Sequence, residues 1–131
     1  MSQIARGEFT VKLRPLAMEG QPEGSRLARM SIDKTITGDL VATTAGQMLS
    51  AMTGVKGSAG YVALERVSGV LHGRRGSFVL QHSGTMNQGT PSLSVTVVPD
   101  SGTGELAGLS GQFNITIAGG RHSYEFSYTL P

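Results

Sequence analysis

Glu65 and His82 are the two residues that strand geometry can bring together with acid–base chemistry to perform. They lie in SAGYVALERVSGVLHGRRGSFVLQHSGT, residues 58–85, which reads as one long β-hairpin folded about Gly73 and Arg74. With a two-residue loop there, Leu71 stands opposite Gly76, and Glu65 stands opposite His82 on the face shared with Phe78 and Leu80. A carboxylate that meets an imidazole on an apolar wall can share a proton near neutral pH, as proton transfer to a bound organic molecule requires. The same pair can instead be structural, each group satisfying the other and pinning the strand register. Strict alternation sends Arg66 to the opposite face whenever Glu65 points in, and a slip of one residue would exchange His82 for Gln81.

Around this pair, Tyr61 and Tyr128 can direct hydroxyls into a cavity whose apolar wall includes Phe78 and Leu80, or can each bond a purely structural partner as buried tyrosines usually do. Glu65 and His82 are then the catalytic candidates, and Tyr61, Phe78, Leu80 and Tyr128 the ligand-binding ones. Lys34 also falls on an apolar face, among Met30, Ile32 and Ile36. Its stem can cover that wall while the ammonium reaches water, so it is read as a snorkelling strand-end residue in preference to a buried cation. His122 is read as a rim residue beside Gly120, and His72 as solvated beside the hairpin turn.

Other chemistries lack their residues. The three histidines sit in separate contexts, with no HxH, HExxH or carboxylate cluster at ligand spacing, so no metal or other cofactor is expected. No GxSxG elbow surrounds Ser58, Ser77 or Ser83. Glycines 102, 104 and 108 form GxGxxxG rather than GxGxxG, and a strand beginning near Gln112 follows where a nucleotide loop needs a helix.

The elements that must position these residues are strands. Nineteen Gly, with many Thr, Ser and Val, favour a sheet protein with tight turns over a helical bundle. Phe9, Val11 and Leu13 alternate with polar residues before a loop expected from Pro15 to Gly24. Ala28 to Thr37 alternates strictly, and Gly38-Asp39 supplies a turn. Residues 40–45 read as a short strand. GQMLSAMT, 46–53, carries helical spacing but is read as strand because a meander surrounds it. Leu93, Val95 and Val97, then Phe113, Ile115 and Ile117, alternate in the same way. Gly119-Gly120 joins the latter to a last strand containing Tyr124, Phe126 and Tyr128. The expectation is an all-β, antiparallel, mostly up-and-down barrel of about eight strands, with less than about a tenth of the residues helical. Closure removes the unpaired edges of an open sheet.

Length allows one domain, residues 1–131, able to bury roughly two-thirds of its unfolded surface. Eleven Lys and Arg against nine Asp and Glu leave only +2, and the arginines are scattered among acids without interleaved aromatics. No nucleic-acid partner follows. The chain has no Cys, which excludes disulfides and thiolate chemistry and suits a reducing compartment. MSQIARGEFTVKL has no signal-like apolar run, and nothing approaches the roughly 20 apolar residues of a membrane helix. A cytoplasmic protein without membrane attachment is therefore expected.

GDL at 38–40, GSAGYVALERVSG at 57–69, GRRGSFVLQHSGTM at 73–86 and VVPDSGTGELAGLSG at 97–111 resemble a bacterial family of uncharacterised proteins with an allene oxide cyclase-like barrel. The resemblance covers nearly the whole chain. It implies the barrel and self-association, with a trimer as the form, but it transfers no reaction. A homo-oligomer is also expected from the strand at 58–67, where Val62 and Leu64 lie on one face and Ala63 and Val67 on the other; the barrel interior accepts only one of these. Two functions follow. In one, the lumen binds a small organic ligand that Glu65 and His82 orient or protonate, with isomerase- or cyclase-like proton transfer as the chemistry if it is an enzyme. In the other, side chains fill the lumen and the protein is a non-catalytic interaction module.

Overall fold

A computed structural model describes residues 2–22 and 26–131. Eight strands follow one another: β1 (Gln3–Leu16), β2 (Leu27–Ile36), β3 (Leu40–Met52), β4 (Ala59–Leu71), β5 (Arg74–Asn87), β6 (Thr90–Val97), β7 (Ser110–Ala118) and β8 (Arg121–Thr129). Each pairs antiparallel with the next, and β8 pairs with β1 to close the barrel. Helix is confined, among the described residues, to one 3-10 turn, Gly104–Leu106. The consecutive order follows from the tight turns, because short loops can connect only antiparallel neighbours.

Period-2 alternation decides what enters the barrel. On β3, Leu40, Ala42 and Thr44 are buried while Val41, Thr43 and Ala45 are exposed; on β4, Ala63, Glu65 and Val67 are buried while Val62, Leu64 and Arg66 are exposed. The stretch 46–53, ambiguous by periodicity, continues β3 as far as Met52. Its pairing with all of β4 overrides the local helical spacing. β1 runs through Pro15 to Leu16, further than the alternation indicated, and the far end of the loop expected there, at Gly24, lies outside the described residues.

The central hairpin turns one residue earlier than its sequence suggested. Leu71 pairs with Arg74, so the loop is His72-Gly73 and not Gly73-Arg74. Both loop residues have positive φ, 46° and 80°, as a type I′ connection requires. The whole register consequently moves by two: Glu65 stands opposite Leu80, and His82 opposite Ala63. A shift of two preserves the face of every side chain.

The two ends of the barrel differ. Phe78, Phe113, Tyr124, Phe126 and Tyr128 fill one end with aromatic contacts, including ring pairs Phe113–Tyr124 at 4.9 Å and Phe126–Tyr128 at 5.3 Å. The β6–β7 connection folds against this end. Thr103 bonds Ser77 through backbone and hydroxyl, while Leu106 and Leu109 enter the core. Complete burial of side chains such as these contributes roughly 2 kcal/mol each. At the other end, inward-facing Leu13, Met86, Leu93 and Ile117 remain 39–66% exposed, leaving the wall uncovered.

Candidate functional site

The site is built on β4 and β5 with one residue from β2. Along the inner face of β4 run Tyr61, Ala63 and Glu65, in order of depth from the open end. His82 on β5 stands opposite the small middle residue. Ala63 leaves space over which the imidazole can lean both ways, so the diagonal neighbours at 61 and 65 come within its reach. His82 Nε2 lies 2.6 Å from Glu65 Oε1, and Nδ1 lies 3.3 Å from the Tyr61 hydroxyl, at the long end of the hydrogen-bond range. The two acid–base residues singled out from sequence therefore touch through diagonal contact, although they are not directly opposed. Arg66 points outward.

Lys34 is the residue that the sequence reading misplaced. Its ammonium does not reach solvent: the residue is 7% exposed, and Nζ donates to Glu65 Oε1 at 2.8 Å while standing 4.8 Å from the Phe9 ring centroid. It must cross β3 to do so. Gly46 stands opposite both Ile32 and Glu65, and a Cβ there would meet Glu65 Cα at 2.6 Å. The missing side chain lets the β4 backbone lie directly against β3 at Leu64 and Glu65. Beside it, the Lys34 backbone N–H donates to the Thr44 hydroxyl rather than continuing the regular ladder. A buried carboxylate on the apolar face demanded the cation. The signal available in the sequence was a lysine among apolar residues, but its partner is 31 residues away on a strand that is not adjacent.

Charge is concentrated on one oxygen. Glu65 Oε1 accepts from both Lys34 and His82, whereas buried Oε2 has no hydrogen-bond partner among the described residues. Burial pushes the Glu65 carboxyl upward, but the His82 hydrogen bond, the Lys34 charge and hydrogen bond, and the nearby Thr44 hydroxyl together bring it down to about 2. Burial, then the Glu65 charge, raise the Tyr61 phenol, which therefore keeps its proton at neutral pH. The assembly is a chain of polar groups, Lys34–Glu65–His82–Tyr61, running from the core toward the open end.

A cavity of about 430 Å³ occupies that end. Its wall includes inward-facing Met48, Ser50, Tyr61, Met86, Leu93 and Ile117, so it is the mouth of the lumen. The Tyr61 ring lies over Gly84, where a Cβ would come within 2.5 Å of Cε1. Two other hollows, of about 430 and 770 Å³, are lined in large part by outward residues such as Leu49 and Val62. Glu65 and His82, at 1% and 3% exposure, stand behind Tyr61 and do not line the mouth cavity.

The four ligand-binding candidates are not brought together. Tyr61 lines the mouth, and Leu80 is buried opposite Glu65. Phe78 stacks on Phe126 in the filled end, with ring centroids 5.7 Å apart. Tyr128 is there too, bonding the His72 imidazole and donating to Gln3 Oε1 at 3.1 Å. His72, expected to be solvated, is exposed although its ring meets Tyr128, and His122 packs against Phe9. Among the described residues there is no group of three or more His, Cys, Asp or Glu able to hold a metal, and no helix long and apolar enough to cross a membrane.

Comparison with known proteins identifies the lineage and leaves the chemistry to the site. The family model described as protein of unknown function (DUF3224) matches residues 5–128. The chain belongs to the DUF3224 family. A crystal structure of a DUF3224 protein of unknown function from Shewanella oneidensis MR-1 is 52% identical, superposes with a TM-score of 0.94, and is aligned over 100% of this chain and 98% of its own. No curated protein matches the chain. The matched DUF3224 segment spans every member of the Lys34–Glu65–His82–Tyr61 chain.

Proposed function

We propose that this DUF3224 barrel binds a small, largely apolar organic molecule at its open end. Tyr61 makes the polar contact, and the His82–Glu65 pair behind it orients the ligand or exchanges a proton with it through the Tyr61 hydroxyl. The observation that carries this reading is the placement of Tyr61. Its ring lines an apolar mouth, and its hydroxyl meets a buried imidazole oriented by a carboxylate. Glu65 and His82 act from behind Tyr61, because neither lines the mouth. Phe78 and Tyr128 fall outside the proposed site. The allene oxide cyclase-like character inferred from sequence belongs to this proposal as a likeness of barrel and not of reaction. Self-association and a cytoplasmic location are parts of it as well.

Native mass spectrometry of the protein taken from its own cells tests the reading. A retained small molecule in the native protein, lost in Tyr61→Phe, is the expected result. A ligand-free mass, with no perturbation of mouth residues by apolar probes, would favour the second reading, a non-catalytic interaction module. That alternative draws on the aromatic filling of the closed end.

A further inference from the structure

Resting on the reading of the open end as a ligand site, we infer that it takes an apolar molecule bearing a hydrogen-bond donor, a hydroxyl above all, and that buried Lys34 sets this preference. Ionised Glu65 is an acceptor only, so His82 Nε2, 2.6 Å from Oε1, carries a hydrogen. Lys34 already supplies the cation that balances Glu65 at the same oxygen. A second buried cation there would be repelled by the first and left without a counter-charge. His82 therefore rests as neutral imidazole with Nδ1 bare. Tyr61 donates its single hydrogen to that nitrogen. The Tyr61 oxygen is then left with lone pairs for a ligand that reaches it from the mouth, and these accept and do not donate. Ser50, also on the wall, can do either and does not discriminate.

A hydroxyl ligand completes the chain, ligand O–H to Tyr61 oxygen and Tyr61 O–H to His82 Nδ1. A carbonyl or ether of the same shape would face oxygen against oxygen. Removing the Lys34 charge changes the pattern. Glu65 then becomes the counter-ion of an imidazolium, whose Nδ1–H donates to Tyr61 and frees the Tyr61 hydrogen for a ligand acceptor. Lys34 is thus a positioning residue acting through Glu65 and His82, without touching the ligand.

The test uses three probes on one apolar frame, 2-naphthol, 2-methoxynaphthalene and 2-acetylnaphthalene, titrated into protein carrying ¹⁵N-labelled histidine at pH 7. In the native protein His82 is expected to show a protonated Nε2 and a bare Nδ1, and 2-naphthol to bind roughly five- to tenfold more tightly than the ether. A purely apolar site would favour the ether. Tyr61→Phe should erase the difference. Lys34→Met should protonate both His82 nitrogens and move the preference to the acetyl probe; if that variant does not fold, the native nitrogen shifts and probe order still decide. An imidazolium or an Nδ1–H tautomer in the native protein would overturn the inference, as would equal or better binding of the ether. Those results leave the mouth standing as a binding site, whereas failure of all three probes to bind would overturn both.

Discussion

Glu65→Gln exposes the energetics of the buried charge cluster. The substitution keeps the shape but leaves the Lys34 ammonium in the core without its counter-charge, a loss of the kind that costs about 3–5 kcal/mol. The carboxyl provides an independent figure. Its displacement from 4.5 to about 2 on folding corresponds to about 3 kcal/mol at neutral pH. The folded value is the lower one, so this contribution is complete above the unfolded value of 4.5 and is lost as pH falls toward about 2. Less than half of it remains at pH 3. Urea unfolding of the native protein and of Glu65→Gln at pH 7 and pH 3 measures both quantities. The variant is expected to be weaker by about 3 kcal/mol at pH 7, with the gap more than halved at pH 3. Adding Lys34→Met to Glu65→Gln should recover much of the loss, because the unpaired cation is then gone. A gap under about 1 kcal/mol at pH 7, or one of equal size at both pH values, would refute the view that the two charges hold each other in the core.

Gly84→Ala should push the Tyr61 ring away from β5, since the new methyl would overlap Cε1; circular dichroism should remain that of a sheet while Tyr61 resonances shift and probe binding weakens. Tyr128→Phe removes hydrogen bonds to His72 and Gln3 at the closed end and is expected to cost about 1–2 kcal/mol in thermal or urea unfolding, with ligand retention unchanged. Loss of ligand in that variant would contradict the assignment of the site to the open end. Val62 and Leu64, each more than half exposed on the outer wall, are expected to be covered by a second copy of the chain, because a closed barrel has no strand edge through which to associate. Light scattering should exceed the 13.7 kDa of one chain and return to it in Leu64→Lys, and a monomer mass for the native protein would refute the interface.

The sequence by itself determined which side chains turn into the lumen. Alternation in YVALERV and SFVLQHS places Glu65, Phe78, Leu80 and His82 on one side and Arg66 on the other, and this survives an error in the turn. With His72-Gly73 as the loop in place of Gly73-Arg74, every partner moves by two positions, and side chains that repeat every two residues keep their face. Closure of the barrel was legible for a related reason, since consecutive strands with one apolar face each have no better way to cover both that face and their edges. Only the tertiary structure decided what those side chains touch. Which end is filled depends on the long β6–β7 connection bringing Leu106 and Leu109 beneath the barrel, and this separates Phe78 and Tyr128 from the open end where Tyr61 stands. The burial of Lys34 depends on three strands at once: the lysine on β2, the Thr44 hydroxyl on β3 that takes its backbone N–H, and the carboxylate on β4. Local patterning reports the face of a single strand, whereas a charge pair that spans a neighbouring strand is fixed by how the closed barrel brings β2 and β4 together over the inner face of β3.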